Sequence, residues 1–387
     1  TFSCPENAAF FEKLLREKRI GVVLFQWADG KRFPFAREAA RCGVPVIAAI
    51  RTDPCFYERR FRGNGLRSKV KRFLRFRRQA KIYRGNAACC ARTVLLSERF
   101  VPGFLKHFPR GASPRVCAIP NPAFCAEASV DFSAKKKELL FVGRMEMAVK
   151  QPQLLLRVWR KLQTRFPAWS LCLVGGAHDF DAVKKLAGTL GLERVHFEGF
   201  QNPEPYYRDA SIFCMTSAYE GFPNVLVEAA SFGCVPVAFD SFAAARDIIS
   251  DGENGCLVPA FDLDAYAETL ARPMSDDALR ERLARNALAQ IPEKFSPEKI
   301  GAQWEALLQG KNRAMNGLPI KNAAADGFRI CWLDTGTDWL GVFSELRAGV
   351  DAWMADSARL LQTSAADGKF VRKTWKVRLD AKWGGAS

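Results

Sequence analysis

Glu220 and Glu228 close the two ends of the run EGFPNVLVE, with seven residues between them. The apolar run SIFCMTS (211–217) comes first and reads as a buried strand. Gly221-Phe222-Pro223 makes a turn, and Asn224 to Phe232 reads as a helix stopped by Gly233. One carboxylate then stands on the loop above a strand, the other about two turns away within a helix. Between them the helix N-terminus offers backbone N–H groups without intrahelical partners and the positive end of the helix dipole. Both favour phosphate. Carboxylates accept hydrogen bonds from sugar hydroxyls. Anion donors flanked by two hydroxyl acceptors suit a nucleotide-sugar.

The elements that must position this constellation alternate along the chain. Glu6–Ile20 has the spacing of an amphipathic helix, Gly21–Phe25 is a buried strand, Lys31–Cys42 is a helix ended by Gly43, and Val44–Ile50 is a second strand. Short strands follow at Arg92–Leu96 and Arg115–Ile119. The Pro-rich stop IPNPAF (119–124) and a polar stretch to Lys137 mark a domain boundary. Beyond it, strands are expected at Leu139–Val142, Leu171–Val174, Val195–Phe197, Ser211–Met215, Val235–Phe239 and near Leu257, with the helix Gln153–Phe166 among the connections. Strands alternating with helices make βαβ units and parallel sheets. The α/β class follows, as two Rossmann-like domains that form a cleft, where such folds bind ligands. The expected domains are 1–130, incomplete; 131–295; a terminal helix 296–310 packing back toward the first; and an unassigned extension 311–387. Ser296-Pro297 starts that helix and Gly310 ends it.

Composition narrows the classes. The chain has 387 residues, 48% of them apolar and 26% charged, which matches an ordinary globular protein with room for two cores. No apolar run reaches the ~20 residues of a membrane span. No GxGxxG supports a dehydrogenase. The twelve cysteines include no CxxC and mostly sit in apolar runs, so they read as reduced thiols of a cytosolic protein. Asp179-Phe-Asp181 and Asp262-Leu-Asp264 read as helix caps rather than metal ligands. His107, His178 and His196 share no ligand spacing, so no metal is expected. The net charge of +17 is concentrated: residues 51–110 carry 17 Lys/Arg against three acids. Such a field calls for an anionic partner. Within it, Leu66, Val70, Phe73 and Leu74 recur at helix spacing among the cations of Arg59–Arg84. That pattern suits a helix lying on an anionic membrane surface; a solvated packed helix and a nucleic-acid patch are the alternatives.

Four segments, in order, resemble the donor domain of glycosyltransferase family 4, the retaining GT-B enzymes. They are FVGRMEMAVKQP (141–152), HFEGF (196–200), YEGFPNVLVEAASFGCVPVAF (219–239) and DGENGCLVP (251–259). IAAIRTDP (47–54) and IPNP (119–122) are similar to a bacterial subgroup that builds surface polysaccharides. The resemblance spans roughly Glu6 to Gln309. It implies that Arg144 and Lys150 hold the donor diphosphate, whose charge grows as the sugar bond breaks. Glu220 then meets the sugar and Glu228 the ribose. Gly221, Phe222, Asn224 and Val225 present backbone groups to phosphate or sugar, and Gly199 and Phe200 line the base pocket or form a plain strand-end turn. The family often has a His where this chain has Arg51. Arg51 either faces the donor or pairs with Asp53 to shape its loop. Family members also begin with a strand and a Gly-rich loop that have no counterpart before Glu6, so about seventy residues of the first domain are expected to be missing.

The expectation is a cytoplasmic glycosyltransferase at the inner face of the cytoplasmic membrane. It would move a sugar with retention from a UDP-sugar to a membrane-associated glycan or lipid-linked acceptor in cell-envelope polysaccharide synthesis. Cofactors are none, and nucleic acid is not an expected partner. The alternative is a truncated, non-catalytic protein that binds nucleotide-sugar or an anionic membrane surface.

Overall fold

Runs of Val, Ile, Leu and Cys without polar alternation form strands covered on both faces, and Ala210–Met215 and Val235–Phe239 are such runs, buried at every position. A computed structural model describes residues 5–17, 19–26, 33–56, 65–122, 130–308, 329–334, 339–343 and 375–378. The chain divides into two units, residues 1–120 with 300–387, and residues 121–299.

The first unit opens with the helix Pro5–Glu17 and strand β1 (Ile20–Gln26), then the helix Phe33–Arg41 and β2 (Val46–Ala49). The long helix Leu66–Cys89 leads to β3 (Arg92–Leu95), and β4 (Val116–Ala118) follows. These four strands are parallel and adjacent in order. Gly43, at φ 76, ends the second helix as its sequence position implies.

The second unit holds β5 (Lys136–Val142), β6 (Ser170–Val174), β7 (Val195–Gly199), β8 (Ala210–Met215), β9 (Val235–Phe239) and β10 (Cys256–Val258). Its order is β10-β9-β8-β5-β6-β7, all parallel. The chain winds outward from β5 to β7, then returns to β5's other side as β8. This places a topological switch point between β5 and β8, where ligands bind beyond the carboxyl ends of the strands in such sheets. Phe141, Leu171, Leu173, Ile212 and Val237 pack with Leu155, Val158, Trp159 and Leu162 of the helix Pro152–Leu162 in one core. That helix stops at Leu162, four residues short of the Phe166 expected from its spacing.

The helix Pro297–Leu308 then buries Ile300, Trp304, Leu307 and Leu308 against Val22, Leu24 and Ile47 of the first sheet. Pro297 follows Ser296, whose Oγ accepts from Lys299 N at 3.2 Å. The expected boundary at 130 differs from the observed division, which falls after Pro120 and again before Ile300. The reason is packing: the last helix's apolar stripe matches the first core, so its residues return to that unit.

The extension 311–387, which the sequence left in neither domain, supplies β11 (Arg329–Asp334), β12 (Trp339–Phe343) and β13 (Trp375–Arg378) to the first sheet. β11 pairs parallel to β1, and β12 and β13 add antiparallel beyond it, giving seven strands. The free edge of β1 explains the pairing, because exposed ladder groups need partners. Gly310, expected to end the last helix, and residues 57–64 of the basic segment lie outside the described residues.

Candidate functional site

Two loops meet at the switch point of the second sheet. The first, residues 143–151, leaves β5. Gly143 N donates to Val174 O, and Met145 N donates to Gly176 O, so this loop is laced to the one after β6. The lacing is close: a Cβ on Gly175, at φ 129, would lie 2.0 Å from Gly143 O. Only glycine fits there. Gly175 N also donates to Gly199 O, which brings in the end of β7. Glu146 O accepts from the N–H groups of Val149, Lys150 and Gln151, folding the loop into a tight turn. Gln151 is left-handed at φ 53, strained for a residue with a Cβ. Thr216 Oγ1 donates to both Lys150 O and Gln151 O and holds that strain in place.

The second loop, 216–223, leaves β8. Ala218 N donates to Val149 O at 2.7 Å, tying the two loops together. This brings Lys150 Nζ to 2.7 Å from Glu220 Oε1, with the side chains only 17% and 11% exposed. The pair spans 70 residues of sequence. An ammonium offers three donors, so Lys150 keeps two after bonding Glu220. Arg144 stands apart from that pair. Its guanidinium lies 2.9 Å from Glu146 Oε1 on the same loop and is mostly exposed. Surface ion pairs are weakly held, so an incoming diphosphate can compete for Arg144.

The helix Asn224–Ser231 begins directly above Glu220 in sequence, with Pro223 as its N-cap and no side-chain cap. Asn224 N donates to Phe222 O, and Leu226 N to Pro223 O. The N–H groups of Gly221, Phe222 and Val225 have no backbone acceptor among the described residues. These donors lie at the positive end of the helix. Phe222 is buried with its ring edge-on to Phe295, 5.4 Å between centroids, which anchors the turn. Asn224 Oδ1 accepts from Asn121 Nδ2 at 2.8 Å, so the IPNP motif reaches the start of this helix.

Glu228 lies inside the helix, half-buried. Its Oε2 accepts from the Tyr207 phenol at 3.1 Å. Burial pushes the Glu228 carboxyl up to about 7, and the Tyr207 hydrogen bond opposes that rise. Burial also drives the Tyr207 phenol well above its usual range. Gly199 is left-handed at φ 68, and the Phe200 ring beyond it is exposed, a flat apolar surface at the end of β7. A nucleobase can stack on such a ring.

Of the residues singled out from the sequence, the second unit brings Lys150 together with Glu220. It puts Gly221, Phe222, Asn224, Val225 and Glu228 on one turn and helix. Arg51 belongs to the first unit, just after β2, where Asp53 Oδ1 accepts from Cys55 N and shapes the turn. Sequence reasoning missed Tyr207, Glu146 and the role of Asn121. Asn121 stood in a quoted motif, but no local pattern announced its partner 103 residues away.

One cap expectation needs correction. Asp262 accepts from Asp264 N and Ala265 N and does cap its helix. Asp179 makes no side-chain cap; it accepts instead from Met147 N at 2.8 Å, bracing the loop that carries Lys150. Among the described residues neither Asp belongs to a group of three possible metal ligands. Among the described residues one group of possible metal ligands, Glu12, Glu38 and Cys42, lies in the first unit. Arg16 and Arg41 already engage those carboxylates. Nine of the cysteines carry free thiols, and burial pushes Cys90 and Cys117 up to about 12.

A parallel sheet with this switch point and two facing loops defines the class, and the comparisons agree. Residues 126–290 match the family model described as glycosyl transferases group 1. That match covers most of the second unit. An uncharacterized glycosyltransferase of Haemophilus influenzae is 28% identical over 195 residues, 50% of this chain and 55% of that protein. A Campylobacter jejuni N-acetylgalactosamine-N,N'-diacetylbacillosaminyl-diphospho-undecaprenol 4-alpha-N-acetylgalactosaminyltransferase is 32% identical, over 49% of this chain and 52% of its own length. The chain spans about half the length of the curated relatives it matches. Anabaena HepE, solved in complex with UDP, shares the fold at TM-score 0.63 and 18% identity, covering 79% of this chain and 82% of HepE.

Proposed function

We propose that the protein is a retaining glycosyltransferase that moves a sugar from a UDP-sugar to a glycan or lipid-linked acceptor in bacterial cell-envelope polysaccharide synthesis. The observation that carries this reading is the Lys150–Glu220 pair at the switch point, beside the N–H groups of Gly221, Phe222 and Val225, which have no backbone acceptor among the described residues. The HepE complex supports UDP as the nucleotide, and the name of the Campylobacter relative supports a diphospholipid acceptor.

The chemistry follows from charge. As the glycosidic bond to phosphate breaks, negative charge builds on the diphosphate. Lys150, held by Glu220, and the helix N-terminus offset it without reorganising. Arg144 leaves Glu146 and adds a second cation. Glu220, through its second oxygen, accepts from a sugar hydroxyl, and Glu228 from the ribose. Among the described residues of the second unit no side chain stands as an obvious nucleophile, so the acceptor hydroxyl attacks on the face from which the diphosphate departs. Retention rests on that route. Protein cations serve where other enzymes use a metal, and no cofactor is needed.

The helix Leu66–Cys89 supplies the membrane contact. Ala80, Tyr83 and Asn86 are its buried residues, while Leu66, Val70, Phe73 and Leu74 are exposed among the cations. An apolar stripe inside a basic field suits anionic lipid, where the acceptor resides. Among the described residues no helix is long and apolar enough to cross a membrane.

Thermal unfolding with UDP, GDP and ADP tests the donor site. We expect UDP alone to raise the transition, and Lys150→Ala to abolish the rise while folding normally. Turnover with UDP-sugars then separates an enzyme from a non-catalytic binder. Full turnover by Lys150→Ala rejects the site.

A further inference from the structure

Tyr207 makes the one side-chain hydrogen bond that the Glu228 carboxylate receives among the described residues. The phenol itself is held from several directions. Its ring is buried, stacked on Phe232 with centroids 5.8 Å apart and set against Phe213 at 6.1 Å. Its backbone carbonyl accepts from Lys135 Nζ at 2.8 Å and from Cys234 Sγ at 3.2 Å. Lys135 Nζ also donates to Phe232 O at 2.8 Å, the C-cap of the helix that carries Glu228. One ammonium thus ties the six-residue helix Glu204–Asp209, which carries Tyr207, to the helix that carries Glu228. The clamp fixes the backbone that carries the phenol against the helix that carries the carboxylate.

We infer that Tyr207 is a positioning residue for the donor: it fixes Glu228 Oε2 so that Oε1 faces the ligand's hydroxyls, and it favours the ionised carboxylate that accepts from them. The inference rests on the donor-site reading above. Its geometry has a direct chemical consequence. A protonated carboxyl has lost acceptor capacity, so donor binding follows the ionisation of Glu228. Burial raises that carboxyl to about 7, and the phenol pulls it back. Lys135 and Cys234 bear on the Tyr207 backbone; the helix Asp277–Phe295 and the strands beside the Asn224–Ser231 helix add no charge that moves Glu228.

The test is calorimetric binding of UDP, with GDP and ADP alongside, between about pH 6 and about pH 9. It uses the full chain as wild type, Tyr207→Phe, Glu228→Gln and the double variant. Wild-type affinity is expected to rise through about pH 7. Tyr207→Phe keeps the ring packing and loses the phenol, so its midpoint moves up by about one unit. Affinity near neutrality then falls several-fold, and the two proteins converge at the alkaline end. Glu228→Gln binds weakly with only the phosphate's own titration left, and adding Tyr207→Phe to it shifts no midpoint. A Tyr207→Phe curve that superimposes on wild type, or is lowered equally at every pH, overturns the assignment. Normal thermal unfolding of Tyr207→Phe without nucleotide excludes misfolding as the cause. Wild type that binds none of the three nucleotides overturns the donor reading itself, and this inference with it; wild-type binding with no Tyr207 effect overturns the inference alone.

Discussion

Glu228 carries a conflict that its surroundings make measurable. Its carboxyl is raised from 4.5 to about 7 because burial disfavours the charge. A raised carboxyl binds a proton more tightly folded than unfolded. Its contribution to stability is therefore full below the unfolded value and is lost as pH rises through about 7. The ionised form costs roughly 3 kcal/mol at alkaline pH as an upper bound. Glu228→Gln keeps an acceptor for Tyr207 and removes the charge. Urea unfolding at about pH 8 should show the variant more stable than wild type, with the gap closing near pH 5, while UDP binding is weakened. An equal gap at both pH values would show that the carboxyl does not titrate in this window. Such a trade of stability for function is what a binding carboxylate buried against a phenol entails. Glu220 and Glu228 were both legible from the residues alone, since their spacing and the turn between them are local. Tyr207 was not. A tyrosine on a six-residue helix is an ordinary core residue until its neighbour is known.

The elements of the second unit show why the loops hold the site so firmly. Three strand ends, after β5, β6 and β7, touch through glycine backbones, and Gly175 has no room for a Cβ against Gly143 O. Gly175→Ala should unfold the second unit or destabilise it by more than about 2 kcal/mol, because both the clash and the φ of 129 oppose it. Limited proteolysis and urea unfolding would register this, and an unaltered midpoint would show that the two loops can part. The strands and helices themselves were readable from apolar runs and helix spacing, with ends shifted by a few residues. Which loops touch was not, because contact between the ends of β5 and β6 depends on strand order rather than on either segment. The extension after 311 was unreadable for a similar reason. β11, β12 and β13 have their meaning only against the open edge of β1.

On the scale of the whole molecule, the charge of +17 and the exposed stripe of the Leu66–Cys89 helix make up the proposed membrane surface. Phe73 and Leu74 are 58% and 59% exposed, so replacing them leaves the first core untouched. Phe73→Glu with Leu74→Glu should abolish co-sedimentation with anionic vesicles and leave thermal unfolding unchanged. Retained sedimentation that falls only with salt would assign the contact to charge alone.

By itself the sequence determined the α/β class, most strands of both units before residue 311, the paired glutamates and the concentrated basic charge. These are read from local periodicity, turn residues and composition, which act over a few residues. Tertiary structure alone decided that Lys150 meets Glu220, that Arg144 turns to Glu146, that Tyr207 holds Glu228, and that the final strands join β1. Those pairings join atoms far apart along the chain. Strand order and core packing set them, because only the folded sheets fix which loop ends share space.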